Sequence, residues 1–331
     1  MTTPLNIAIV GATGSVGEAL VEILEERAFP VGNLHLLASI ESAGKSLPFR
    51  GKNLRVREVE SFDFKAVELV FFAAGEAVTR SFAARATAAG CAVIDLAGEL
   101  QAPAVVPEAN PRAFLAGRQA VSPCSPAIGL AVALAPLRAV LALRQVTVTA
   151  CLAVSSLGRE GVNELARQTA ELLNARPLEP AFFDRQVAFN VLAQVGQPDT
   201  VGHLVLEKRI AQQLRETLEL PLLDVSASCI QVPVFFGDSL VLSVRAEAPV
   251  DVAQVQAALS TAPGLELVED AGDYPTPVGD AVGQDVVYAG RLRGGISDPC
   301  ELKLWLTLDN VRKGAALNAV QIAELLIKDL S

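Results

Sequence analysis

Histidine is almost missing from this chain: His35 and His203 are the only two among 331 residues. A mechanism that depends on a histidine base or ligand therefore has few candidates, and both read as structural or surface residues. His35 falls inside a strand candidate, and His203 lies four residues before Glu207 on what reads as an exposed helix. Cysteine is sparse and odd in number, at positions 91, 124, 151, 229 and 300. That spacing matches neither a disulfide framework nor a zinc site, so most cysteines read as buried apolar filler and no metal centre is expected. Positive charge is short as well. Lys and Arg total 27 against 37 Asp and Glu, a formal charge of −10, which argues against a nucleic-acid partner and for a small-molecule ligand. No basic segment leads into an apolar core near the start, and the longest apolar helical stretch, 127–137, is too short to span a bilayer. A cytoplasmic protein without membrane contact is expected.

What is present begins with the run 7–10, which is apolar and leads into Gly11-Ala12-Thr13-Gly14-Ser15-Val16-Gly17. Val16, Leu20, Ile23 and Leu24 then recur at helical spacing. Strand, glycine turn and helix start in that order form a nucleotide cradle, where backbone N–H groups and the helix N-terminus favour a pyrophosphate. The glycines read G-x-x-G-x-x-G, one step from the commonest dinucleotide pattern, so a turn that serves only close helix–strand packing is the alternative. Glu41 lies 24 residues beyond Gly17, near the spacing at which a carboxylate accepts hydrogen bonds from ribose hydroxyls and repels a 2′-phosphate. A solvated loop glutamate is the plainer reading.

The length suits two domains. Strand candidates at 7–10, 34–38, 54–59, 69–73 and 92–96 alternate with helix candidates and predict a parallel sheet. After a helix over 126–140 the pattern changes to long alternating runs at 145–154, 226–236, 239–246, 286–292 and 301–308, which predict an α+β domain with a largely antiparallel sheet. The final amphipathic stretch, 314–330, returns to the first domain beside the opening helix. The expected boundaries are 1–125 with 314–331, and 126–313.

Six segments carry a resemblance. The glycine turn, Ser42-Ala43-Gly44-Lys45, Val106-Pro107-Glu108-Ala109-Asn110-Pro111, Gln186-Val187-Ala188-Phe189-Asn190, Tyr274-Pro275-Thr276-Pro277 and the stretch 309–318 are similar, in order, to the aspartate-semialdehyde dehydrogenase family. The resemblance implies a Rossmann domain whose cofactor contacts fall on Gly11, Thr13, Gly14, Ser15, Val16, Glu41 and Ser42, followed by a catalytic and dimerisation domain, hence a homodimer. It also implies reduction of an acyl phosphate to an aldehyde through a cysteine nucleophile, a histidine base and two anion-holding arginines.

At those catalytic positions the chain departs from the family. Aligned on Pro123 and Ile128, Ser125 occupies the nucleophile slot and Cys124 sits one residue early; a one-residue slip would restore Cys124. Ser125 also reads as a helix N-cap followed by proline, and a thiol at Cys124, beside that helix end, is favoured as thiolate. Asp238 stands in the histidine slot, where proton transfer from a serine hydroxyl to an ordinary carboxylate costs roughly 16 kcal/mol. Gln231 and Gln101 stand in the carboxylate and phosphate arginine slots, and glutamine cannot replace a bidentate cation. Gly129 replaces a glutamine, Glu207 matches a substrate-contacting glutamate, and Arg209 replaces a lysine. Glu41 stands where NADP-preferring relatives carry arginine, which points to NAD, or to no nucleotide, rather than NADP.

The set is similar to the Usg-type branch of the family, whose members lack the usual catalytic residues. Three readings stay open: a homologue that keeps fold, dimer and NAD binding without the dehydrogenase reaction; an oxidoreductase on an aldehyde or acyl substrate using Cys124; and a structural or regulatory dimer with an empty cradle.

Overall fold

The computed structural model describes residues 4–114, 117–270 and 272–329, and the chain divides into two compact units, Met1–Cys124 with Ala315–Ser331 and Ser125–Gly314. In the first unit β1 (Leu5–Val10) leads through the glycine turn into α1 (Ser15–Glu26) and then β2 (Val31–Ala38). A small hairpin follows, β3 (Ser46–Phe49) and β4 (Lys52–Arg55), then β5 (Arg57–Glu58), β6 (Leu69–Phe72), α2 (Glu76–Ala88), β7 (Ala92–Asp95) and β8 (Gln119–Val121). The sheet order β5-β2-β1-β6-β7-β8 is parallel throughout. Counted among these strands it is 3-2-1-4-5-6, the doubly wound order of dinucleotide-binding domains, which reverses between β1 and β6. Both faces of the sheet are apolar because helices cover both. Leu5, Ile7 and Ile9 pack with Leu20 and Ile23 of α1, while Ala8 and Val10 pack with Phe82 and Ala86 of α2.

The second unit opens with α3 (Ser125–Leu134), then β9 (Leu143–Leu152), α4 (Gly158–Leu173), α5 (Val205–Thr217), β10 (Asp224–Gln231), β11 (Asp238–Ala246), α6 (Val252–Ser260), β12 (Leu265–Leu267), β13 (Val287–Gly294) and β14 (Glu301–Leu308). Its sheet runs β10-β9-β11-β14-β13-β12, with antiparallel pairs at the centre and a parallel pair at each edge. Alternation places Val146, Val148, Leu240, Leu242, Leu304 and Leu306 on a buried face. Every residue of α3 after Ser125 is buried, which is why this helix is apolar all round. A Cβ at Gly129 would lie 3.2 Å from both Leu240 Cδ1 and Leu308 Cδ2, so the glycine that replaces a family glutamine matches tight packing of α3 on this sheet. The last helix, α7 (Asn318–Asp329), belongs to the first unit. Its Val320 and Ile322 share the core with α1, and Glu324 pairs with Arg27 at 2.6 Å.

Some expectations need correction. The stretch 54–59 is not one strand but the end of β4 and the whole of β5, with Val56 between them. The helix expected over 126–140 stops at Leu134, and a 3-10 turn, Pro136–Ala139, follows where proline interrupts the ladder. His203 is not helical; its backbone N–H donates to Asp199 at 2.9 Å, ahead of α5. Of the cysteines only Cys91 and Cys229 are buried, the other three are half-buried, and none is in a disulfide.

Candidate cofactor cradle and catalytic positions

The cradle forms where the sheet order reverses. Two turns meet there, 11–14 after β1 and 73–75 after β6. Gly11 has φ +88, and a Cβ on it would sit 2.7 Å from the Ala73 carbonyl oxygen. At Gly17 a Cβ would overlap the Gly11 carbonyl oxygen and lie 2.7 Å from Ala12 Cα. These two glycines are required by the fold itself. Gly14 is different: its φ is −80 and a Cβ would make one ordinary contact, 3.4 Å from the Gly11 oxygen. Nothing in the protein demands glycine at that position, whereas a pyrophosphate approaching the backbone does.

Gly14 is the N-cap of α1 and Gly75 the N-cap of α2, and neither helix has a side-chain cap. Two helix N-termini thus keep their backbone donors for an anion. Thr13, Ser15 and Val16 are half-buried around the turn. Glu41 follows β2, is exposed, and accepts a 2.8 Å hydrogen bond from Ser39 Oγ. Lys45 Nζ stands 3.5 Å from Ser42 Oγ. The glycine turn and uncapped helix start therefore fit a dinucleotide's phosphates, and Glu41 and Lys45 lie on the segment after β2.

In the second unit the ends of β9, β11 and β14 converge on a buried polar cluster. Ser125 is the first residue of α3, and its Oγ donates to Asp238 Oδ2 at 2.7 Å. The backbone N–H of Ala153, just past β9, donates to Asp238 Oδ1 at 3.0 Å. Burial pushes the Asp238 carboxyl up to about 6, opposed by the hydrogen bonds from Ser125 and Ala153 and assisted by the negative charge of Asp309. A Cβ at Gly314 would overlap Ser125 Oγ, so glycine there leaves room for the serine. Asp309 accepts from the N–H groups of Val311, Arg312 and Gly283, and Asn310 accepts from Gly237 N. These two residues fix the turn next to the cluster. They lie in a segment that supported the resemblance, yet no local pattern marked them as parts of this site.

The structure brings Ser125 and Asp238 together, and Gln231 lies at the same end of the sheet, its register partner Leu152 preceding the Ala153 that binds Asp238. Gln231, at the end of β10, is buried; its Nε2 donates to the Leu152 carbonyl at 2.6 Å and its Oε1 has no partner among the described residues. Glu207 uses both carboxylate oxygens on backbone, accepting from Leu204 N at 2.9 Å and Cys229 N at 3.0 Å. It caps α5 and ties that helix to β10. Glutamate at the third helical position is a capping signal legible in the sequence. Arg209 is half-buried on the same helix.

Gln101 is exposed and lines a hollow with Gly90, Cys91 and Arg118, at the N-terminal ends of β7 and β8. That edge of the parallel sheet is opposite the glycine turn. Asp95 is responsible, because its carboxylate accepts from the N–H groups of Ala97, Glu99 and Leu100 and closes a tight turn after β7. Cys124 is half-buried at the end of the first unit. The thiol of Cys151 is raised by burial and by the charge of Asp238. Among the described residues no group of His, Cys, Asp and Glu is arranged to hold a metal, and no helix is long and apolar enough to cross a membrane.

Two family models match the two parts of the chain: "Semialdehyde dehydrogenase, NAD binding domain" over residues 6–116 and "Semialdehyde dehydrogenase, dimerisation domain" over 134–313. The chain belongs to the semialdehyde dehydrogenase family. Among similar members, a "USG-1 protein homolog" of Azotobacter vinelandii is 60% identical over 99% of both chains. "Aspartate-semialdehyde dehydrogenase 2" of Vibrio cholerae is 42% identical, also over 99% of both. The crystal structure of aspartate semialdehyde dehydrogenase II from Vibrio cholerae matches with a TM-score of 0.96 at 41% identity, covering 99% of this chain and 100% of that one. The semialdehyde dehydrogenase fold thus extends over the whole chain, with a nicotinamide-binding part and a dimerisation part, and it includes relatives of both Usg and dehydrogenase names.

Proposed function

We propose that this chain is a homodimeric semialdehyde dehydrogenase homologue that binds NAD and does not carry out the phosphorylating dehydrogenase reaction. The observation that carries the reading is the Ser125–Asp238 pair. The residues in the nucleophile and base slots are bonded to each other at 2.7 Å, and neither is the residue type the chemistry needs. Even with the carboxyl raised to about 6, moving the serine proton onto Asp238 costs about 13 kcal/mol, taking the hydroxyl as weak an acid as water. The obstacle is the serine: a histidine base would lower the cost by less than ~1 kcal/mol, whereas a cysteine thiol, at pKa ~8.5, would give up its proton to such a carboxyl for about 3 kcal/mol.

A bound nicotinamide would supply hydride transfer. The chain's own part is to hold its pyrophosphate on the N–H groups at Gly14–Val16 and its ribose hydroxyls on Glu41. The assay is aspartate-semialdehyde oxidation with phosphate and NAD or NADP, run on the wild type and on Cys124→Ser at high protein concentration. No turnover in either is the expected result. Turnover in the wild type that disappears in Cys124→Ser overturns the proposal and makes Cys124 the nucleophile.

Cofactor choice is tested separately by calorimetry. NAD is expected to bind more tightly than NADP, because Glu41 repels a 2′-phosphate. Glu41→Gln removes that charge and is expected to narrow the gap about tenfold, equivalent to ~1.4 kcal/mol. Equal affinities in the wild type would remove Glu41 from the selection. The homodimer rests on the half-exposed face of the second sheet, where Val241 and Trp305 are paired across β11 and β14 with Thr149 beside them. An apolar patch on an otherwise hydroxyl-rich sheet face suits a like face.

A further inference from the structure

We propose that the outer edge of β2 is a docking site for an extended, acidic peptide segment of a partner protein. Three observations converge on it. First, β5 pairs with β2 only at Leu37 and Ala38. Among the described residues no other strand is hydrogen-bonded to that side of β2, although β4 lies beside it, so residues 32–36 keep an unpaired edge. Second, a hollow lies between this edge and the β3–β4 hairpin, and it is lined by all five consecutive residues 32–36. Lining by consecutive residues means that the hollow addresses the strand's edge and not one face, since successive side chains alternate between faces. Third, the charged part of the lining is all cationic: Arg50, Lys52, Arg55 and Arg57, with no Asp or Glu.

Four cations around one hollow stand out in a chain of formal charge −10. Their roles divide. Arg50 fastens the hairpin, donating to the Phe29 carbonyl at 2.7 Å and the Val31 carbonyl at 3.2 Å while stacking 5.0 Å from the Phe49 ring centroid. Lys52, Arg55 and Arg57 are exposed and make no ion pair among the described residues. Leu34 and Leu54 give the hollow an apolar floor. His35 also lines it; burial and the charge of Arg57 lower its pKa, so at neutral pH the ring is an uncharged donor and acceptor.

An added strand takes its affinity from main-chain hydrogen bonds along an open edge and its selectivity from alternate side chains. In an extended segment those alternate side chains recur about every 6.6 Å, so carboxylates on one side of the segment meet the three unpaired cations. A nucleic acid would use the cations but not the strand edge, and the net negative charge of the chain opposes it. Open edges are ordinarily covered or made self-avoiding by charge. Here the cations that repel the same edge of a second copy are the ones that select an acidic strand.

The test uses the full-length protein and a fluorescein-labelled eight-residue peptide of alternating glutamate and valine, read by anisotropy at low salt. A second peptide of the same sequence is N-methylated at alternate residues, which removes one row of main-chain donors without changing the charge. The expected result is saturable binding of the first peptide, weakened at least tenfold by N-methylation and at least tenfold by the combined variant Lys52→Glu, Arg55→Glu, Arg57→Glu. Binding is expected to persist in Gly14→Ala, which separates this site from the cradle. No binding to the wild type, or equal binding of the two peptides, overturns the proposal. Equal binding to the charge-reversed protein, with its melting unchanged, overturns it as well.

Discussion

Gly17→Ala is expected to destabilise the first unit by about 3 kcal/mol, whereas Gly14→Ala is expected to stay within about 1 kcal/mol of the wild type and still lose at least tenfold in dinucleotide affinity. The two positions are three residues apart in one turn and look alike in sequence, but their surroundings differ. A methyl group at Gly17 runs into the Gly11 carbonyl oxygen and approaches Ala12 Cα to 2.7 Å and Ala12 C to 2.9 Å, all of it backbone. Backbone cannot swing aside as a side chain does, so α1 has to move off β1, and Leu20, Ile23 and Leu24 of the core move with it. At Gly14 the added methyl meets only the Gly11 oxygen, at 3.4 Å. It occupies space outside the protein, above the start of α1, where a pyrophosphate belongs. Urea denaturation measures the first effect and NAD calorimetry the second. If Gly14→Ala binds NAD as the wild type does, that space is not used by the ligand, and the cradle reading fails even though the fold is right.

The fold was legible in the sequence because its periodicities are long-lived. The parallel sheet is buried on both faces and its strands are apolar runs, while β9, β11 and β14 alternate over eight residues or more. Short elements gave no such signal. β8 and β12 have three residues each, β5 only two, and β3 with β4 forms a hairpin of two four-residue strands, the second carrying Lys52 and Arg55. In the site, the meeting of Ser125 with Asp238 follows from two family slots aligned without a gap, although they are 113 positions apart. Three roles escaped local reading because they depend on distant or competing partners. Ser125 was read as an N-cap, but it begins α3 and its hydroxyl donates a hydrogen bond to Asp238. Glu207 was expected to face substrate, yet its two oxygens serve Leu204 and Cys229. Gln101 was placed by a six-residue family pattern after the fifth strand, and the turn closed by Asp95 carries it to the opposite edge of the sheet.

Asp238→Asn is expected to change the pH dependence of stability more than any other single substitution in the polar cluster. The carboxyl is raised to about 6 in the folded chain from an ordinary 3.8, so between these values the folded state binds a proton that the unfolded state has already released. A group of this kind contributes stability that is fully present below pH 4, declines as pH rises through the interval, and is gone above about pH 6. The loss amounts to about 3 kcal/mol by pH 8. Asparagine has nearly the same shape, accepts from Ala153 N, can offer its amide to Ser125 Oγ, and does not titrate. The stability of the wild type minus that of Asp238→Asn is therefore expected to fall by about 3 kcal/mol between pH 4 and pH 8. Glu164 and Asp199, both held down at about 2, add slope of the opposite sign in acid, but they do so in both proteins and cancel in the difference. Urea unfolding at several pH values gives the comparison. A difference independent of pH would mean that Asp238 keeps an ordinary acidity and that water reaches the cluster. The expected decline would mean that at neutral pH this chain holds a buried carboxylate against Ser125 at a cost to its own stability. A residue retained at such a cost is one kept for binding or for specifying the turn at Asp309 and Asn310, since the serine beside it is too weak an acid to give up its proton.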